Sequence, residues 1–500
     1  MTATPLQETT LTALPAPVRR PAYDRAAAGS GVVHLGVGGF HRSHQAVYFD
    51  RLLARGHGEW GITGVGVLPA DRGLHEALRA QDGLYTLVLK HPTGAIEPAV
   101  VGSLLRLLLV DDDPAAVLAA MASPSTHLVT MTITEGGYST EKSTGRFRPD
   151  DALRADLTAP HPRTAFGLLS AALRRRRDAG TPPFTVVSCD NVENNGALAR
   201  RTLVEFARLQ DAGTGDDLAG WIDRHVAFPS SMVDRITPVT TDDDRRRLAD
   251  EAGIADRWPV VAEPYLQWVL EDSFSDARPP LEEAGVQLVD DVRPYELGKL
   301  RLLNAGHQVM SYLGYLAGHR RVDEVMTDPL FVELVDRYMR EEATPTLPPV
   351  PGTDLAAYRA VLLDRFANPA VSDTLARNCA EGSERIATFV LPVVRDQLRT
   401  GGPIDVAVLA VAAWARYATG EDEGGGRIEV VDARLDRMAP LLRRRQEDPL
   451  AVLGLGDVFG DLADDERFRR AYLRAAGSLD RLGARGAVAH LLGPSSGRSR

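Results

Sequence analysis

The chain has 500 residues, enough for two or three domains with a sizeable core, and its 44% hydrophobic and 25% charged content is that of an ordinary globular protein rather than a disordered or fibrous one. Its 57 Lys+Arg against 68 Asp+Glu leave a formal charge of −11, which repels phosphate backbones and anionic bilayers, so neither nucleic acid nor membrane is an expected partner. Two cysteines, Cys189 and Cys379, make neither a disulfide framework nor a Cys-x-x-Cys pair, and no signal-peptide pattern or apolar run of ~18–20 residues is visible, so the expected location is cytoplasmic.

After a Pro-containing leader, Gly31-Val-Val-His-Leu-Gly36 reads as a short buried strand. Gly36-Val-Gly38-Gly39-Phe40 then forms a turn into a helical pattern over residues 45–53. A second strand, residues 61–67, follows one βαβ unit later, and further buried strands are expected at residues 127–134 and 184–189. The run Arg174-Arg175-Arg176-Arg177 reads as the solvated C-terminal end of a helix, where positive charge suits the dipole. Beyond about residue 290 the strand signal fades, and helical patterns occupy residues 299–317, 329–339, 355–366 and 406–418. Residues 493–500 read as a frayed tail. The expected fold is α/β: a Rossmann-type dinucleotide-binding domain over residues 1–290 and a mainly α-helical substrate-binding and catalytic domain over 291–500, with the active site between them.

Gly36, Gly38, Gly39 and Phe40 keep the first part of a dinucleotide fingerprint, in which glycines allow a tight turn and a close backbone approach to a pyrophosphate. The third expected glycine is His41, and Arg42 is positioned to add a phosphate contact. Asp71, just past the second strand, can bond a ribose 2′-hydroxyl and repel a 2′-phosphate, which favours NAD; Arg72 beside it leaves NADP open. His41 and His44 have metal-pair spacing, but no further Cys or carboxylate ligand lies nearby, and no metal is expected. On a helix, Glu296, Lys299, Asn304 and His307 fall at about 60°, 0°, 140° and 80°. A carboxylate, an amine, an amide and an imidazole thus share one side of an apolar segment, where unpaired polar groups are costly.

Lys299-x4-Asn304-x2-His307 resembles the signature of the polyol-specific long-chain dehydrogenases, a family of mannitol 2-dehydrogenases, arabinitol dehydrogenases and fructuronate reductases, and the likeness is strongest to the first of these. It extends over nearly the whole chain. It includes Gly36-Val-Gly-Gly-Phe-His-Arg-x-His-Gln45, Thr132-Ile-Thr-Glu-Gly-Gly-Tyr138, Ser188-Cys-Asp-Asn191, Met232-Val-Asp-Arg-Ile-Thr-Pro238, Glu263-Pro-Tyr-Leu-Gln-Trp-Val-Leu-Glu-Asp272 and Arg377-Asn-Cys-Ala-Glu-Gly-Ser-Glu-Arg385.

The resemblance implies a zinc-independent oxidoreductase that interconverts a polyol such as D-mannitol and its 2-ketose, D-fructose. Lys299 is implied as general acid/base, Asn191 and Asn304 as amide donors to the developing alkoxide, and His307 as the group that positions the substrate hydroxyl. Asp234, Arg377 and Arg385 are implied to bind the polyol chain, and Glu135 and Glu296 to relay protons. The chain departs from the family pattern at Ala70, where an acid often precedes Asp71, at Arg385, where a lysine is found, and at Ala305-Gly306 in place of Gly-Ser. Fructuronate reductase and D-arabinitol dehydrogenase are the alternatives within the family, and a non-catalytic nucleotide-binding sensor the one outside it. Oligomeric state is not legible in the sequence.

Overall fold

A computed structural model describes residues 3–141, 146–212 and 214–493; most of the expected tail, residues 494–500, lies outside the described residues. The chain divides into two compact units, Met1–Val292 and Arg293–Arg500. Among the described residues no helix is long and apolar enough to cross a membrane.

The N-terminal unit is built on five short strands: β1 (Val32–Leu35), β2 (Ile62–Gly66), β3 (Leu104–Leu109), β4 (Leu128–Met131) and β5 (Thr185–Ser188). All pair in parallel, in the order β3-β2-β1-β4-β5. Runs such as Val-Val-His-Leu and Thr-Val-Val-Ser suit this position, because a parallel sheet covered on both faces needs β-branched and apolar residues throughout, not alternation. Val33, Leu35, Val129 and Val186 pack on one side with α3 (Ala165–Asp178) and α4 (Asn195–Asp211). Val32, Ile62, Leu128 and Val187 pack on the other with α2 (Gln45–Ala54), Trp60, Tyr85 and Trp268, and the five-residue helix α1 (Gly39–Ser43) precedes α2.

Two three-stranded sheets and a two-stranded parallel pair, Thr4–Pro5 with Ile254–Ala255, complete this unit. Strands Tyr85–Lys90 and Ile96–Val101 form an antiparallel hairpin extended by Val260–Ala262. Strands β6 (Ser231–Asp234), β7 (Gln267–Glu271) and β8 (Gln287–Val289) form the other, in the order β8-β7-β6.

Arg176 is not part of a solvated helix end: it is 1% exposed, its Nε donates to the Pro182 carbonyl at 2.6 Å, and its Nη1 reaches the carbonyls of Ser123 (2.6 Å) and Thr126 (2.9 Å). Nη1 alone thus serves two carbonyls of the loop after the Pro114–Ala122 helix, the Ser123 carbonyl also accepting the Thr126 N–H at 3.0 Å. Arg174 and Arg177 do lie nearer the surface, both paired with Asp216.

In the C-terminal unit the described elements are all helical. At its centre α6 (Asp405–Tyr417) is buried at every residue from 406 to 415, as a helix apolar all round must be, with α5 (Ala305–Leu316) and α7 (Glu466–Leu492, broken at Gly483) packed on it. Three π-helical segments interrupt the helices, Lys299–Asn304, Tyr338–Ala343 and Ile386–Val390, and the first packs against the other two. In the second, the buried Glu342 carboxylate accepts the Val406 and Ala407 N–H groups at 2.7 and 2.8 Å, which satisfies two orphan donors at the start of α6. Burial pushes its pKa up to about 7 although these two N–H bonds oppose the shift.

Glu342→Ala leaves both donors buried without an acceptor and is expected to lower unfolding free energy by about 2–3 kcal/mol in urea denaturation, with Glu342→Gln, which keeps one acceptor oxygen, recovering part of the loss. Because the folded form keeps a proton that the unfolded form has released, Glu342 contributes stability below about pH 4.5 that is lost as pH rises through about 7. The Gln variant should show a flatter stability profile over that window.

Candidate active site

In an open parallel sheet, ligands bind beyond the strand C-termini where the strand order reverses, which here is between β1 and β4. Gly36 follows β1 with φ +94°, and a Cβ there would lie 2.3 Å from the Thr132 carbonyl oxygen just past β4. Only glycine fits that crossing. The Gly36 carbonyl accepts from Thr132 Oγ1 at 2.8 Å and lies 3.1 Å from His34 Nε2. Gly38 and Gly39 differ from Gly36: a Cβ on either would meet no atom of the chain closer than 3.9 and 3.8 Å. The fold therefore does not itself require glycine at these two positions, and they leave an open cradle of the kind a pyrophosphate occupies.

Asp71 stands just past the end of β2, where its Oδ2 accepts the Val67 and Leu68 N–H groups at 3.0 and 2.9 Å and Oδ1 is left for another donor. Arg72 pairs with Asp112 at 2.8 Å. These residues fit a dinucleotide with a free ribose hydroxyl.

The phosphate contact expected of Arg42 is withdrawn. Its side chain is turned inward, 3% exposed, with Nη1 donating to the Trp258 carbonyl at 2.6 Å and the guanidinium 5.2 Å above the Tyr85 ring. His41, in place of the third glycine, stacks on His34 with ring centroids 3.4 Å apart, and Phe40 stacks on His44 at 4.9 Å. His44 Nε2 bonds the Gln267 carbonyl at 2.8 Å, so the two histidines with metal-pair spacing face different neighbours. Among the described residues no group of three or more His, Cys, Asp or Glu is arranged to hold a metal ion.

The remaining expected residues of the N-terminal unit come from strand ends. Glu135 opens the 3-10 turn Glu135–Tyr138 after β4, Asn191 follows β5, and Asp234 is the buried last residue of β6.

In the C-terminal unit, Glu296 lies in the helix Arg293–Gly298, and Lys299 and Asn304 bound the π-helical segment; both Glu296 and Lys299 are buried. The helical arithmetic changes accordingly. At about 4.4 residues per turn, the five steps from Lys299 to Asn304 separate them by only about 50°, against about 140° on an α-helix. The Ala305 N–H donating to the Leu300 carbonyl five residues back marks this wider turn.

His307, in α5, is buried with its ring edge-on to Phe366 at 4.5 Å, and its Nδ1 has no hydrogen-bond partner among the described residues. Desolvation lowers its pKa to about 4, despite the opposing charge of Asp373, and holds the imidazole neutral. Arg377 is fixed by a bidentate pair to the buried Asp373 (2.8 and 2.9 Å), which also accepts from Asn378 Nδ2 at 3.0 Å. Asp373 is absent from the sequence-expected set, although its four-residue spacing from Arg377 is that of an ion pair. Arg385 directly precedes the third π segment, and burial lowers the pKa of its guanidinium, which lies close enough to His307 and Arg377 for their charges to couple.

A family model described as the mannitol dehydrogenase Rossmann domain matches residues 30–283, and one described as the mannitol dehydrogenase C-terminal domain matches residues 291–479. The chain belongs to the mannitol dehydrogenase family. Among its relatives are a mannitol 2-dehydrogenase from Phaeosphaeria nodorum, 44% identical over 94% of this chain and 82% of that protein, and mannitol dehydrogenase 2 from Saccharomyces cerevisiae, 44% identical over 93% of each. The structure of Pseudomonas fluorescens mannitol 2-dehydrogenase in a ternary complex with NAD and D-mannitol is 43% identical with a TM-score of 0.87, covering 98% of this chain and 99% of that one. A D-sorbitol dehydrogenase in substrate-free form is 36% identical with a TM-score of 0.89, covering 97% and 100%. For a mannitol dehydrogenase family member, then, both family domains are present along the chain.

His307 folds with a pKa of about 4 against 6.5 when free, so the unfolded chain binds the extra proton first as pH falls. Its contribution to stability is full above about pH 6.5 and is lost as pH drops through about 4. The thermal midpoint should decline over that window, and less steeply in His307→Gln.

Proposed function

We propose that this chain is an NAD-dependent, zinc-independent mannitol 2-dehydrogenase that interconverts D-mannitol and D-fructose with Lys299 as general acid/base. The observation that carries the reading is a set of side chains with hydrogen-bonding capacity that the described residues do not use. In the C-terminal unit, the His307 Nδ1 is buried, and neither it nor the Asn304 amide or Arg385 guanidinium makes a hydrogen bond or ion pair with described residues. Buried polar groups are normally satisfied, and a ligand carrying several hydroxyls meets this demand. The relatives named for mannitol and the neighbour bound to NAD and D-mannitol support the same substrate class.

Gly38 and Gly39 form the cradle and Asp71 the hydroxyl acceptor for NAD, whose nicotinamide supplies the hydride acceptor. Lys299 takes the hydroxyl proton at Nζ during oxidation and returns it during ketose reduction. The amides of Asn304 and Asn191 are assigned to the developing alkoxide, the work a zinc ion does in other alcohol dehydrogenases. His307, kept neutral, accepts from or donates to a substrate hydroxyl. Arg377, Arg385 and Asp234 are assigned to the rest of the polyol chain, and Glu296 and Glu135 to proton exchange with water.

Arg385 favours a second reading, because a part-buried guanidinium that makes no ion pair with a described residue also suits a sugar acid such as fructuronate. NADH oxidation measured side by side with fructose and fructuronate should proceed faster with fructose; rapid turnover of the acid with none of fructose would replace mannitol by the acid. Lys299→Ala is expected to lower kcat for mannitol oxidation by about 10²–10⁴-fold while leaving NADH binding, followed by fluorescence, nearly unchanged. A Lys299→Ala enzyme of full activity sinks the assignment of the base.

A further inference from the structure

The loops after β4 and β5, which carry Glu135 and Asn191, leave two neighbouring strands in register, Met131 opposite Ser188. The first of them is strained: Thr134 has φ +63° and ψ 166°, a conformation almost confined to glycine that costs about 1–3 kcal/mol in other residues. Such a residue persists only when its surroundings hold it there.

The holding group is Asp190. One carboxylate oxygen accepts the Thr134 N–H at 2.7 Å, and the other accepts the Tyr138 hydroxyl at 2.6 Å, which also lies 2.5 Å from Ser188 Oγ. The clamp thus grips the Glu135 turn immediately before it and at its far end. Asp190 is in turn fixed through its carbonyl, which accepts from Asn195 Nδ2 at 3.0 Å. Asn195 also donates to the Ser231 carbonyl (2.8 Å) and accepts the Ser231 N–H (2.9 Å), at the start of the strand that ends in Asp234. Tyr138, Ser188, Asn195 and Ser231 are at most 2% exposed and Asp190 is 7% exposed. One buried network therefore joins the three segments that carry Glu135, Asn191 and Asp234.

We infer that Asp190 is a positioning residue for the reaction, holding the Thr134–Tyr138 turn and the Asn191 loop in a single geometry through its two carboxylate oxygens. The inference rests on the roles proposed for Glu135 and Asn191. An amide at position 190 keeps an oxygen for the Thr134 N–H, and the Tyr138 hydroxyl can turn toward Ser188 to accept from the new N–H group; a methyl group does neither.

Asp190→Ala is expected to lower kcat about 100-fold with the Kd for NADH within about threefold of wild type, and Asp190→Asn to recover kcat to within about fivefold. Full kcat in Asp190→Ala overturns the inference, as does a parallel loss of kcat and NADH binding, which marks a role in folding alone. Should Asp190→Ala fail to fold, Tyr138→Phe takes its place, with a fall in kcat of about tenfold at unchanged NADH affinity supporting the clamp and unchanged kcat refuting it. Asn191→Ala in the same assay separates the two levels: unchanged kcat there defeats the role given to Asn191, whereas impaired Asn191→Ala beside active Asp190→Ala defeats the positioning.

Discussion

The close crossing of Gly36 and Thr132 is the contact on which the N-terminal unit turns. A side chain on Gly36 would occupy the place of the Thr132 carbonyl, so the ends of β1 and β4 can meet only through glycine, and the carbonyl of that glycine is held by the Thr132 hydroxyl and by His34. From this point the chain runs one way into the cradle of Gly38 and Gly39 and the other way into the Glu135 turn. The cofactor cradle and the first of the polar loops thus share one anchor. The stacked His34 and His41 rings fill the space beside it, where a third glycine would have brought helix and strand together by having no side chain at all.

The C-terminal unit solves a different problem. Its helices are buried on nearly all sides, so polar groups among them must be satisfied or be there for a ligand. Glu342 and Asp373 show the first solution, each matched to named donors. His307 Nδ1 and the side chains of Asn304 and Arg385 have no such match among the described residues, and the proposed function gives them to the substrate. The contrast within one unit is what separates its structural polar groups from those assigned to substrate.

The strands of the parallel sheet were legible because double-sided burial writes itself as short β-branched runs, and the glycine turn because its spacing follows from backbone sterics. The sheet formed by β6, β7 and β8 was not, since the pairing of short strands is decided by distant partners rather than by their own residues. Arg176 read as solvated because three neighbouring arginines set the local pattern, while its partners include carbonyls of a loop some fifty residues earlier. Among site residues, Lys299, Asn304 and His307 were visible as polar positions in an apolar segment. Asp190 and Asp373 act through other side chains, and a supporting role of that kind has no spacing of its own.

The π-helical turn at Lys299–Asn304 has a further consequence, for chain length rather than side-chain identity. Holding one residue more than an α-helical turn would, it sets the rotation of Glu296 and Lys299 relative to Asn304 and His307 by counting residues. Deleting any one of the six, even an apolar one, would let an unbroken α-helix form and swing the preceding residues about 100° around the axis. The face depends on a length that no single substitution alters, so the four residues between Lys299 and Asn304 should tolerate changes of residue far better than changes of number.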